Sequence, residues 1–316
     1  MFAESLKYIE KYDRIIIHRH SNPDGDALGS QIGLREIIRE NYPQKEVYIV
    51  GDGAGRYSFM DGAKMDEIPD EYYSGALAII LDTSAEALIS DTRYKLADVT
   101  VRYDHHISNA RVAEAEFCDT SFESCAGLIT ALAMTNDLTV SESAAKALYT
   151  GMVTDSGRFK YDSTTPRTFQ LAAFLMEHNS HLSDIYKGLY ADDFNMIRLR
   201  ASFVMKIQFT EENVAYIYTS NDELKSLGYD LFTISRGMVG TMSDIRGVDV
   251  WANFTESDEG VICEIRSNKY NINPVAVKYG GGGHAKASGA TLKDKDEAMR
   301  LLSDLDAIVK EGKNNE

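Results

Sequence analysis

The sequence predicts an α/β protein: an N-terminal doubly wound, mainly parallel sheet and a smaller C-terminal α+β domain, joined by a helical connector. Three observations carry this prediction. Short β-branched or apolar runs alternate with helical patterns through the first half, as strand–helix–strand units do. The run Ala76-Leu77-Ala78-Ile79-Ile80-Leu81 is apolar at every position, as in a strand buried on both faces of a parallel sheet. From about residue 210 the pattern changes to alternating strands with a hairpin.

The elements follow in order. Residues 14–18 form a β-branched strand that runs into a polar loop at 21–26, and a helix is expected at 27–40. Strands follow at 46–50, 76–81 and 99–103, and a helix at 141–152. Residues 182–206 read as helical, with Ile185, Leu189, Phe194, Ile197 and Phe203 spaced for one buried face. This stretch is the expected connector, giving domains at 1–185 and 210–316 with a linker at 186–209. In the second domain 214–218 alternates, and 248–254 pairs with 261–266 across the turn Asp258-Glu259-Gly260. Residues 272–279 read as a strand and 294–309 as a helix.

Composition bounds the function. A chain of 316 residues with 44% hydrophobic content supports two cores. Its charge of −16, from 33 basic and 49 acidic residues, provides no basic stripe of the kind that coats long nucleic acid. Any nucleic acid it handles is expected to be short and captured locally. No run approaches the roughly 18 apolar residues of a membrane span, and Met1 to Lys7 lacks a signal-peptide pattern. Cys118, Cys125 and Cys263 form no CxxC pair, which points to buried thiols in a reducing cytoplasm.

Five clusters carry chemistry. The first is His18-Arg19-His20-Ser21-Asn22-Pro23-Asp24-Gly25-Asp26, the second Asp82-Thr83-Ser84, and the third Asp104-His105-His106. Asp155-Ser156-Gly157 and Gly280-Gly281-Gly282-Gly283-His284 complete the set. The first three each follow an expected strand, and open α/β sheets bind ligands beyond the carboxyl ends of their strands. An Asp-x-Asp in a loop is usually a solvated turn. A strand before it, a His four residues earlier and a helix after it reverse that reading, and Asp24 and Asp26 can then each hold a cation. Asp82, ending a buried strand, would be a costly charge without a cation beside it. Oxygen and imidazole donors with almost no sulfur suit Mn²⁺ or Mg²⁺. The glycine tract is expected to lie as a loop against an anion, with its N–H groups free and Arg266 and Lys269 adding positive charge. His178 and His181 are assigned nothing.

In this order, the clusters resemble the DHH phosphoesterase superfamily, specifically its short two-domain DHH–DHHA1 members. Asp104-His105-His106 is the naming motif, and the tract from Gly280 to His284 with the small residues up to Gly289 is the DHHA1 mark. Within the family the chain is most similar to bacterial bifunctional oligoribonucleases that also dephosphorylate pAp. The resemblance implies two Mn²⁺ ions, with Mg²⁺ or Co²⁺ as alternatives. His20 and Asp24 would hold the first ion, Asp26 and His105 the second, Asp82 would bridge them, and Asp155 would complete the coordination. Asp104 would orient His105, and His106 would stand beside the scissile phosphate. Arg266, Gly281, Gly282, Gly283 and His284 would bind substrate phosphate. The helix after Ser124 is assigned no site role, because Gly127 stands where relatives carry Glu. The implied reaction is attack of water on phosphorus, cutting short RNA to mononucleotides and pAp to AMP. A pApA hydrolase of cyclic-dinucleotide turnover and a non-catalytic nucleotide sensor are the competing readings. A homodimer is left open.

Overall fold

A computed structural model describes residues 2–107, 111–179 and 181–314 and divides into two compact units, Met1–Ala191 and Asp192–Glu316. The first unit contains α1 (Phe2–Lys11), β1 (Arg14–His18), α2 (Gly25–Asn41), β2 (Glu46–Ile49), β3 (Leu77–Leu81), β4 (Val99–Asp104) and β5 (Ala115–Cys118). It continues through α3 (Cys125–Thr135), α4 (Glu142–Asp155), α5 (Pro166–His178) and α6 (Leu182–Tyr190).

Its five strands run in the order β2-β1-β3-β4-β5, and every neighbouring pair is parallel. The period-2 geometry of a strand divides the apolar residues between two faces. Ile15, Ile17, Ile79 and Tyr103 face the core shared with α1 to α5, while Ile16, Ala78 and Ile80 face smaller clusters around Tyr73 and Tyr94. Chain direction away from β1 reverses between β2 and β3, so the crevice of such a sheet lies at the carboxyl ends of β1 and β3.

The second unit contains α7 (Phe194–Val204), β6 (Gln208–Phe209), β7 (Ala215–Thr219), α8 (Asn221–Leu227), α9 (Leu231–Met238), β8 (Val250–Ser257) and β9 (Gly260–Ser267). It ends with α10 (Asn273–Lys278), β10 (Gly282–His284), β11 (Ala287–Leu292) and α11 (Lys295–Asn314). Its mixed sheet has the order β10-β11-β9-β8-β7-β6, with only β7 and β8 parallel. One face packs Phe254 and Ile265 against Leu301 and Leu305, and the other packs Ile217 and Trp251 against Phe203 and Ile234. Among the described residues no helix is long and apolar enough to cross a membrane.

Three expectations are corrected. The stretch expected to be a single connector is two helices, α6 in the first unit and α7 in the second; Phe194 and Ile197 are exposed, and Leu199 takes the buried position. Residues 272–279 are largely helix, because Pro274 sits in the first turn, where its missing N–H costs nothing. Cys118 is exposed on β5, whereas Cys125 and Cys263 are buried.

Candidate metal centre

The centre is built at strand ends, where the backbone turns sharply. β3 stops at Leu81, and Asp82 takes a left-handed φ of 49°, unusual for a residue with a side chain. Asp82 is buried; its Oδ2 lies 3.6 Å from His20 Nε2, and its Oδ1 lies 3.5 Å from both His105 Nε2 and His106 Nδ1. After β1, a buried clamp shapes the loop. Arg19 binds Gln31 Oε1 at 3.0 Å, the His20 carbonyl at 3.0 Å and Asp52 Oδ1 at 2.7 Å. Asp52 Oδ2 in turn accepts the Asn22 amide at 2.7 Å. His20 Nδ1 bonds the Ser21 carbonyl at 2.8 Å and must donate to it, so Nε2, 3.9 Å from Asp24 and facing Asp82, is the nitrogen whose lone pair becomes available once the ring is neutral.

Asp24 caps α2, its Oδ1 accepting the amides of Asp26 at 2.9 Å and Ala27 at 3.0 Å. Asp26 points the other way and accepts the Cys125 amide at 2.7 Å and the Ala126 amide at 2.9 Å. These are the free N–H groups of the first turn of α3, so this helix, assigned no role above, holds one of the central carboxylates. Asp155 is the last residue of α4, and its Oδ2 lies 3.4 Å from His105 Nε2, which is also 3.7 Å from Asp26 Oδ2.

Asp104 differs from its expected position. Its Oδ1 meets the ring of His106 at 2.8 Å, not that of His105, and accepts the His105 and His106 amides at 2.8 and 3.2 Å. Its Oδ2 pairs with the fully buried Arg102.

Electrostatics follow from packing. Burial pushes the Asp26 carboxyl well up, and the Asp82 and Asp155 charges push it further. Burial likewise raises Asp155 to about 7. Burial opposes charge on both main imidazoles, but neighbouring carboxylates outweigh it. Asp24 and Asp82 push His20 up to about 10, and Asp82 and Asp155 push His105 up to about 9. Asp82 is disfavoured by burial yet lowered overall by His105 and His20.

The donor atoms fall into three groups, each with its members within 4.8 Å: His20, Asp24 and Asp82; Asp26, His105 and Asp155; and Asp82, Asp104, His105 and His106. Asp82 Oδ1 and His105 Nε2 are buried without a hydrogen-bond partner. Buried polar atoms are seldom left so, and a divalent cation satisfies a carboxylate oxygen and an imidazole nitrogen together. The residues fit a pair of hard cations.

Arg266, Gly281, Gly282, Gly283 and His284 lie in the second unit. Arg266, on β9, pairs with Glu264 at 3.0 Å. The glycine tract is not an open loop. The amides of Gly280 and Gly281 bond the carbonyls of Val277 and Ala276 at 3.0 and 2.9 Å, and Gly282 to His284 pair antiparallel with β11. A Cβ on Gly281 would stand 2.1 Å from the Gly289 carbonyl oxygen. Close strand approach accounts for at least this glycine.

A parallel sheet carrying carboxylates and imidazoles at its switch-point edge, with a mixed-sheet second unit, defines a two-domain phosphoesterase. Residues 14–152 match the DHH family, N-terminal domain, and residues 232–311 match the DHHA1 domain; the chain belongs to the DHH–DHHA1 family. It is 35% identical over 314 residues to the bifunctional oligoribonuclease and PAP phosphatase NrnA of Bacillus subtilis, covering 98% of this chain and 99% of that protein. A probable bifunctional oligoribonuclease and PAP phosphatase NrnA of Streptococcus mutans is 34% identical over 98% of this chain and 99% of its own length. An exopolyphosphatase-related protein from Bacteroides fragilis superposes with a TM-score of 0.84 at 25% identity, over 98% of this chain and 97% of that one.

Proposed function

We propose that the chain hydrolyses short oligoribonucleotides to mononucleotides and pAp to AMP, using two divalent cations, Mn²⁺ in the first instance. The observation that carries this reading is the buried, unpartnered Asp82 Oδ1, placed where the His105 and His106 rings converge, with His20 at the other oxygen of the same carboxylate. We assign one cation to His20, Asp24 and Asp82, and the other to Asp26, His105 and Asp155, with Asp82 shared. Bound there, the pair supplies Lewis acidity and lowers the pKa of water toward neutrality.

The side chains do the rest. Donation from Nδ1 to Asp104 orients the His106 ring and leaves Nε2 for the leaving oxygen. That hydrogen bond and the Asp82 and Asp104 charges raise the His106 pKa, keeping a proton available for the departing ribose oxygen. Arg102 keeps Asp104 ionised by pairing with its second oxygen, so Asp104 acts by holding His106. Arg266, Gly281, Gly282, Gly283 and His284 are assigned to substrate phosphate, as the family resemblance implies.

The test uses purified protein with Mn²⁺ and pAp, pApA and longer oligonucleotides. Asp82→Asn is expected to lose turnover on all of them while keeping its circular dichroism spectrum. Undiminished turnover in that variant would refute the assignment. Wild-type turnover confined to pApA would favour the dedicated dinucleotide reading.

A further inference from the structure

Beside the cation centre, within the first unit, lies a cationic and aromatic ledge that the proposed chemistry does not use. After Asp155 the chain takes three successive left-handed residues, Gly157 at φ 57°, Arg158 at 64° and Phe159 at 61°. Two of these carry side chains, and such strain persists only where the surroundings impose it. They do so here: the Arg158 amide bonds the Val153 carbonyl at 2.8 Å, and the Phe159 amide bonds Ser156 Oγ at 2.9 Å. The Phe159 ring is held between Tyr149 and Phe169, at 6.0 and 5.5 Å. With Phe159 anchored inward, Arg158 is exposed, its guanidinium carbon 4.9 Å from the ring centre of Tyr190.

A second arginine arrives from another segment. Arg56 stands 5.2 Å from the ring of Tyr57 and donates to the Leu189 carbonyl at 3.1 Å, next to Tyr190. The rings of Tyr186 and Tyr190 lie 6.0 Å apart, tilted by 35°. Burial raises the Tyr190 hydroxyl, with Tyr186 and Tyr57 pushing it up and Arg158 and Arg56 pulling it down, and burial raises the Tyr57 hydroxyl, which also feels the Asp24 charge. Among the described residues neither Arg56 nor Arg158 forms an ion pair with a carboxylate, in a chain with 49 acidic residues.

We propose that Arg56, Tyr57, Arg158 and Tyr190 form a nucleotide subsite, which seats the nucleoside phosphate unit of the substrate that is not being cut. The guanidinium edges take its phosphate, and the arginine planes and tyrosine rings take its base, as arginines and aromatics do in single-stranded nucleic-acid sites. Because Arg158 and Asp155 belong to one constrained turn, the subsite is registered to the cations. The proposal rests on the phosphoesterase reading above.

The experiment compares two substrates with full-length protein and Mn²⁺: pApA, which has a second nucleotide, and bis(p-nitrophenyl) phosphate, which has none. Arg158→Gln and Arg56→Gln are each expected to raise KM for pApA about tenfold, the loss of one charge-assisted contact. They should leave kcat within about twofold and KM for the small diester unchanged, and Arg158→Lys should recover part of the loss. Unchanged KM for pApA in both glutamine variants, or equal rises for both substrates, would overturn the subsite alone. Should Arg158→Gln fail to fold, Arg56→Gln, on a separate segment, decides the matter. A wild-type protein inert toward both substrates would instead sink the phosphoesterase reading, and the subsite with it.

Discussion

His20 and His105 hold their protons tightly in the cation-free centre, at about 10 and about 9, because each faces two or more carboxylates. A cation needs the neutral ring, so at pH 7 binding must expel those protons. The sign follows: raising the pH toward 9 removes the competing protons and strengthens binding, and lowering it weakens binding. Titration calorimetry with Mn²⁺ at pH 7, in two buffers of different ionisation enthalpy, should therefore show release of at least two protons per protein, with the raised Asp26 and Asp155 carboxyls adding to the two from the rings. The apparent affinity should also climb from pH 6 to pH 8; a flat profile or proton uptake would contradict the ligand set. At this scale the sequence was highly informative about residue type. Placing His20, Asp82 and Asp104 after strands was enough to bring them together at one sheet edge. It was less informative about partners. Nothing in the string Asp104-His105-His106 says which ring the carboxylate will meet, because that depends on the turn by which the chain leaves β4. The Arg19–Asp52 clamp was equally hidden, since Asp52 lies 33 residues downstream in an unremarkable loop.

At the scale of elements, a glycine stripe decides how close the metal-bearing ends can come. Gly25, Gly29 and Gly33 lie four apart along α2, on one face, and α4 runs antiparallel against them. A Cβ on Gly25 would stand 2.5 Å from Thr154 Oγ1, one on Gly29 2.5 Å from the Ala147 carbonyl oxygen, and one on Gly33 2.5 Å from Leu148 Cγ. This close packing brings Asp155, at the end of α4, to Asp24 and Asp26, at the start of α2. The four-residue glycine spacing was present in the sequence and was the missed signal for the placement of Asp155. The Pro274 that starts α10 was another; the alternation around it reads as a strand only if that proline is ignored. Gly29→Ala meets backbone that cannot swing aside, so the helices must separate. The expected cost is about 1–3 kcal/mol in denaturant unfolding, with weaker Mn²⁺ binding as Asp155 moves out. Gly53→Ala, where a Cβ meets nothing within 4 Å, is the matched control and should change neither. Wild-type Mn²⁺ affinity in Gly29→Ala would show that the helix spacing does not govern the centre.

For the whole molecule, the two units carry separate cores, and every proposed cation ligand lies in the first. The net charge of −16 fits this division of labour, because a site that recruits cations and short anions needs no basic stripe along the surface. Thermodynamic linkage then makes a prediction specific to one unit. Mn²⁺ at about 100 times its dissociation constant adds about 2.7 kcal/mol to whichever unit binds it. For a unit of this size that moves the melting temperature by about 5–10 °C. The single tryptophan, Trp251, is buried in the second unit and reports on that unit alone. Calorimetry with and without Mn²⁺ should show a transition that moves upward, and excess chelator should return it. The transition followed by tryptophan fluorescence should stay where it was. A tryptophan signal that climbs in step with the calorimetric shift would mean that the two units unfold together, so that cation binding in the first stabilises the second.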